Sequence, residues 1–206
     1  MNGKEGTNFE RELPAGYREE FVIDAKDKKT AVWLSVGSFV LTAAVFVILF
    51  RLIKPSGNFT DGFISRYLIV LGTALIYIVC HELVHGAAYK LMTGEKLTYG
   101  FSLTVAYCGV PNIYVYRKTA LISLLAPFTV FNIVFGLAVI LVRDPWDKVA
   151  AAVLLALHIG GCIGDLYVTS LYLGRFRDPA TLMRDTGPRQ SFYLPGTAEE
   201  ETEEYE

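Results

Sequence analysis

Residues 64–92 read ISRYLIVLGTALIYIVCHELVHGAAYKLM. The second half of this apolar run contains the pentapeptide His81-Glu82-Leu83-Val84-His85. A run of this length predicts a membrane-spanning helix, because about 20 apolar residues cross a hydrocarbon core of about 30 Å. Residues four apart share one face of a helix, so both imidazoles can bind one Zn²⁺. Ionisable residues at membrane depth are costly and usually functional. The run therefore predicts a zinc site inside a membrane helix.

Glu82, between the two histidines, completes the pattern H-E-x-x-H. In this pattern the glutamate acts as a general base on a zinc-bound water, which is the chemistry of metal-assisted hydrolysis. The alternative is a chance match, in which both histidines hydrogen-bond to neighbouring helices.

The rest of the chain is also too apolar for an ordinary soluble domain. Of its 206 residues 52% are hydrophobic, and the mean hydropathy is +0.37. The formal net charge of −2 predicts no nucleic-acid partner. The sequence predicts an all-α integral membrane protein with a membrane domain at 31–175. Its four transmembrane helices are expected at 31–53, 64–92, 119–142 and 149–173.

The segment 97–116, between the second and third predicted spans, has a different composition. It reads LTYGFSLTVAYCGVPNIYVY and is rich in Thr, Val, Tyr and Phe, with Gly109-Val110-Pro111-Asn112 as a candidate turn. We expect a small β-hairpin here. An amphipathic surface loop is the alternative.

Polar segments flank the apolar middle of the chain. We expect a polar segment at 1–30, without a signal peptide, and a polar, acidic, disordered tail at 176–206. Fourteen of the 19 Lys and Arg residues lie in the two terminal regions and around the insert, and five lie near the opposite loops. This asymmetry predicts that both termini and the hairpin are cytosolic. We expect the protein in the lipid bilayer of a bacterial or archaeal cell membrane.

A catalytic zinc has three protein ligands and an open position, so a third ligand must come from elsewhere. Asp165 is the only acidic residue in the first, third and fourth predicted spans. It lies eight residues, or about 12 Å, before the end of its span, and His81 lies eleven residues, or about 16 Å, before the end of its own. Asp165 is therefore the predicted third ligand, unless it pairs with a basic or hydroxyl group. His158 is the competing third ligand, unless it hydrogen-bonds to another helix.

The order of these features resembles the site-2 protease class of intramembrane zinc metalloproteases, and more closely a family of small membrane proteins grouped as zincin peptidases. The resemblance covers about residues 64–173 and rests on the run from His81 to Gly86, followed by Pro127, Asn132 and Asp165. The class has Leu-Asp-Gly around its third ligand, where this chain has Gly164-Asp165-Leu166. Its asparagine follows the proline by three residues, whereas Asn132 follows Pro127 by five.

The resemblance implies zinc-dependent hydrolysis of a membrane-associated or transmembrane protein substrate. His81, His85 and Asp165 would hold Zn²⁺, Glu82 would be the catalytic base, and the β insert would hold an extended substrate by strand addition. A non-catalytic metal-binding membrane protein or assembly factor is one alternative, against which the presence of Glu82 argues. A small transporter is another, disfavoured by few spans and no evident inverted repeat.

Overall fold

The computed structural model describes residues 8–56, 62–101 and 106–196, which form five helices and seven strands. The helices are α1 (Lys28–Ile53), α2 (Phe63–Thr93), α3 (Arg117–Leu141), α4 (Pro145–Gly161) and α5 (Ile163–Gly174). The strands are β1 (Phe9–Glu10), β2 (Tyr17–Asp24), β3 (Thr98–Phe101), β4 (Ala106–Gly109), β5 (Tyr114–Tyr116), β6 (Leu182–Asp185) and β7 (Arg189–Pro195). The prediction of an all-α protein is therefore wrong.

The strands form two antiparallel sheets. One has five strands in the order β1-β5-β6-β7-β2, and the other pairs β3 with β4. The insert thus contains a strand pair, and residues 102–105, between its two strands, lie outside the described residues. The predicted turn at 109–112 instead leads from β4 to β5, which belongs to the larger sheet.

The tail predicted to be disordered supplies two of the five strands in that sheet. β6 and β7 lie within 176–206, so the prediction is wrong for these strands, while 197–206 lie outside the described residues. The tail is polar overall, but three of its apolar side chains are fully buried: Leu182, Met183 and Phe192. Their burial explains why the tail folds.

The hydrophobic core lies between the five-stranded sheet and the neighbouring ends of three helices. Tyr89 of α2, Leu124 of α3 and Tyr172 of α5 pack against the sheet residues in one buried cluster. Phe192 of β7 stacks on Phe176 with a centroid distance of 4.7 Å. This packing fixes the sheet to the ends of α2, α3 and α5, and α2 carries the histidine motif.

Three helices, α1, α2 and α3, are long and apolar enough to cross a membrane. None of the described residues of α1 is buried, which is compatible with a lipid environment. The fourth predicted span is not one helix: α4 and α5 meet at Cys162 with a bend of 47°. The prediction of four spanning helices is thus corrected to three and a bent pair, which by length and composition could count as one further span.

Glycines flank the break between α4 and α5. Three of them, Gly160, Gly161 and Gly164, fall within five residues, and each lowers helix stability by about 1 kcal/mol relative to alanine. A Cβ at Gly160 would collide with the Thr42 side chain of α1, so this glycine also permits close helix packing. The break places Asp165 in the first turn of α5, where the helix dipole favours a carboxylate.

Candidate metal centre

Four ring side chains form a stripe along α2: Tyr77, His81, His85 and Tyr89 follow one another at four-residue spacing and therefore share one face. Both histidines are only 8% exposed, and their ring centroids are 4.9 Å apart. The helix thus brings the two imidazoles together, as the motif predicts.

Asp165 faces both imidazoles. Its Oδ2 lies 3.3 Å from His81 Nε2 and 3.5 Å from His85 Nε2, and the three donor atoms all lie within 4.8 Å of one another. Tetrahedral ligands at about 2.0–2.2 Å from a zinc ion are separated by about 3.3–3.6 Å. Charge-assisted hydrogen bonds are shorter, about 2.7–2.9 Å. The two distances are therefore compatible with shared coordination of Zn²⁺.

Glu82 lies beside this group, in the wall of a cavity of about 490 Å³. Side chains from α1, α2, β4, α5 and the turn between β6 and β7 line the same cavity, which also contains His81, His85 and Asp165 in its wall. Glu82 is partly exposed, whereas both histidines are buried. The arrangement places a carboxylate where a substrate and water can reach it next to the three donors.

His158, the competing third ligand, lies on the opposite side of the His81 ring. The Tyr77 hydroxyl is 3.0 Å from His81 Nδ1 and 2.8 Å from His158 Nδ1, and thus bridges the two rings. His81, His158 and Cys162 also bring three donors within 4.8 Å. Because Tyr77 already contacts two of these donors, a hydrogen-bonded cluster explains this second group.

His85 is held by the main chain of α3. Its Nδ1 lies 2.8 Å from the carbonyl oxygen of Ser123, a fully buried residue. Both histidines therefore have Nδ1 next to an oxygen of the protein and Nε2 next to Asp165. Such contacts orient metal-binding imidazoles, and the Ser123 carbonyl also favours the His85 tautomer that leaves Nε2 free to coordinate.

Asn132 does not join the three donors. Its side-chain amide donates to the carbonyl of Phe128 at 2.7 Å and lies 3.3 Å from His158 Nε2. The same carbonyl is 3.3 Å from His158 Nε2. Asn132 thus belongs to the hydrogen-bonded cluster behind His81.

Tyr89, at the end of the stripe, connects the site to the sheet. Its hydroxyl donates to Asp185 Oδ2 at 2.7 Å, and the Gly187 amide donates to Asp185 Oδ1 at 2.8 Å. Burial raises the pKa of Asp185 to about 6. Tyr77 and Tyr89 are not among the residues predicted from the sequence, although their four-residue spacing from the histidines is a usable signal. The sequence offers no such signal for Asp185, because this residue lies in a segment predicted to be disordered.

The family described as "Putative zincin peptidase" matches residues 74–178, about half of the chain. The chain belongs to this family. Zincin peptidases are zinc metallopeptidases, so membership indicates that class of enzyme and implies zinc. The matched segment contains His81, Glu82, His85 and Asp165, whereas α1 lies outside it. No curated protein and no solved structure gives a match to the chain.

Proposed function

We propose that this zincin-family protein is embedded in a membrane and hydrolyses peptide bonds at or within the cytosolic side of that membrane. The observation that carries the proposal is the convergence of His81, His85 and Asp165 beside Glu82, in a cavity between apolar helices.

In this proposal His81, His85 and Asp165 would hold the metal. Zn²⁺ bound there would supply a Lewis acid that polarises the scissile carbonyl and lowers the pKa of water toward 7. The Glu82 carboxylate accepts a proton from the attacking water and delivers it to the leaving amine. Tyr77 and the Ser123 carbonyl keep the two rings oriented throughout.

The substrate in this proposal is a membrane-associated or transmembrane protein. A helical substrate must unwind before cleavage, because a helix uses its amides in its own hydrogen bonds. Within the described residues β3 and β4 pair with each other in a sheet of two strands, so an outer edge can hold an extended peptide. Tyr107 and Cys108 of β4 line the same cavity as Glu82, which supports this placement.

The sheet and the basic residues together support the proposed cytosolic position. β1 and β2 from the N-terminal region, β5 from the insert, and β6 and β7 from the C-terminal region form one sheet, so these regions lie on one side. The excess of Lys and Arg in the same regions favours the cytosolic side.

The experiment compares Glu82→Gln with the wild type, and uses Glu12→Gln, a change at an exposed glutamate, as the control. New protein N-termini are measured by mass spectrometry in membranes of cells expressing each form, and zinc is measured in each purified protein. We expect the wild type and Glu12→Gln to generate a common set of new N-termini that Glu82→Gln does not. Glu82→Gln should retain zinc, since Glu82 acts on water.

Undiminished cleavage by Glu82→Gln would remove this residue from the mechanism. Loss of zinc in the same variant would identify Glu82 as a ligand instead. Identical N-termini in the presence and absence of the wild-type protein would contradict the peptidase proposal.

A further inference from the structure

Pro127 lies inside α3, where it changes the hydrogen bonding of one carbonyl. In an α-helix each N–H donates to the carbonyl four residues earlier, and for position 127 that acceptor is Ser123. Proline has no N–H, and its ring pushes the earlier carbonyl away from the helix axis. The Ser123 carbonyl therefore lacks this donor, and it is the one that lies 2.8 Å from His85 Nδ1.

We propose that Pro127 is a positioning residue for metal binding: by leaving the Ser123 carbonyl without its helical donor, it provides the acceptor that orients His85. This inference rests on the proposed function, because it concerns the same zinc site. In this inference Pro127 acts on the metal site through the Ser123 carbonyl of α3, a helix that contributes none of the three proposed ligands.

The contact with the Ser123 carbonyl determines which tautomer His85 adopts. A carbonyl oxygen can only accept, so His85 Nδ1 must carry the proton in this hydrogen bond. A neutral imidazole has one N–H, so Nε2 then keeps its lone pair on the side where Asp165 Oδ2 lies 3.5 Å away. The Tyr77 hydroxyl beside His81 can donate or accept and does not fix a tautomer in this way. Ser123 is thus the contact that defines which nitrogen coordinates.

The hydrogen bond between His85 Nδ1 and the Ser123 carbonyl is also shielded from bulk water. Ser123 is fully buried and His85 is 8% exposed, so bulk water does not replace the donor that proline removes. A backbone N–H introduced at position 127 would draw the Ser123 oxygen back toward the helix axis and so weaken its hydrogen bond with His85. A proline that serves only to bend α3 would have no such effect on the metal.

The test uses the full chain in detergent with two substitutions at one position. Pro127→Ala introduces a backbone N–H, whereas Pro127→lactic acid, incorporated by nonsense suppression, removes the ring but still has no N–H. Gly136→Ala is the matched control on α3, because a Cβ there meets no atom within 4 Å. Zinc dissociation constants are measured by chelator competition, and melting temperatures are measured on the same samples.

We expect Pro127→Ala to weaken zinc binding by about 10- to 100-fold, the usual effect of losing a contact that orients a metal ligand. Its melting temperature without metal should not fall, because alanine favours a helix. Pro127→lactic acid and Gly136→Ala should both bind zinc as the wild type does.

Wild-type zinc affinity in Pro127→Ala would overturn the inference. Equal losses in Pro127→Ala and Pro127→lactic acid would also overturn it, since the ring and not the missing N–H would then matter. Failure of the wild type itself to bind zinc would instead contradict the proposed function, so the two failures are distinguishable.

Discussion

Among single residues, Asp185 has the clearest consequence for pH. It is 3% exposed and accepts hydrogen bonds from Tyr89, Gly187 and Gln190. Burial raises its pKa to about 6, whereas an unfolded aspartate titrates near about 3.9. The folded protein therefore binds this proton more tightly than the unfolded chain. The stabilisation is complete below pH of about 4 and is lost as the pH rises through about 6.

We predict that Asp185→Asn will flatten the pH dependence of unfolding. Melting temperatures of both proteins are measured between pH of about 4.5 and 7.5 with a chelator present. The melting temperature of the wild type should fall relative to that of the variant as the pH rises. The underlying change in unfolding free energy is at most about 3 kcal/mol. Parallel curves over this range would contradict a raised pKa at Asp185.

Some residues of the site were predictable from the sequence, and others were not. His81, Glu82 and His85 follow from the motif, and Asp165 was placed beside them by its estimated depth in a span. Pro127 marks the Ser123 carbonyl as lacking its helical donor, but its contact with His85 was not predictable, because that contact depends on how α3 packs against α2. The bridging role of Tyr77 depends on His158 packing against it, a contact between residues 81 positions apart.

At the scale of elements, the junction of α4 and α5 decides where Asp165 lies. Gly160 faces α1, and a Cβ there would fall 2.7 Å from the backbone oxygen of Ser38. A Cβ on the adjacent Gly161 would meet no atom within 4 Å. The two neighbouring glycines thus provide a matched pair for testing the packing of α1 against α4.

We predict that Gly160→Ala will destabilise the protein by about 1–3 kcal/mol, the range for overpacking a tight contact. Gly161→Ala should leave stability unchanged or raise it slightly, because alanine is the better helix former. Thermal unfolding in detergent compares the two variants with the wild type. Equal stabilities of the two variants would show that α1 does not pack closely on Gly160.

The long apolar helices and the strand pair of the insert were predictable, whereas the strands of the larger sheet were not. The predicted spans at 31–53, 64–92 and 119–142 differ from α1, α2 and α3 by at most three residues at either end. Length and apolarity determine these helices locally. The strands of the larger sheet come from three distant regions, and their pairing depends on burial against helix ends that no local pattern reports. The break at Cys162 was missed because hydropathy is continuous across it.

For the whole molecule, the five-stranded sheet restricts how the proposed membrane protein can be oriented. Its strands come from both terminal regions and from the insert, so our proposal places all three on the same side of the membrane. The exposed apolar side chains of α1 and α2, among them Phe39, Leu52 and Ile64, provide a surface compatible with lipid. The sheet and this apolar surface divide the molecule into a polar end and a membrane-compatible end.

We predict that reporter fusions at either terminus will give cytosolic signals. A reporter inserted between Arg143 and Asp144, in the short connection between α3 and α4, should give the opposite signal. The prediction combines the common sheet with the excess of basic residues in the same regions. Matching signals from the C-terminus and from the 143–144 insertion would contradict this orientation.

The central claim is that two histidines of α2 and the aspartate of α5 form one zinc site, and zinc content tests it most directly. Elemental analysis of the purified full chain, after zinc supplementation, should find about one zinc per chain in the wild type. His81→Ala and Asp165→Ala should lower the zinc content strongly, whereas His158→Ala, a change behind the His81 ring, should lower it less. No zinc above background in a folded wild type would contradict the account, as would a greater loss in His158→Ala than in Asp165→Ala.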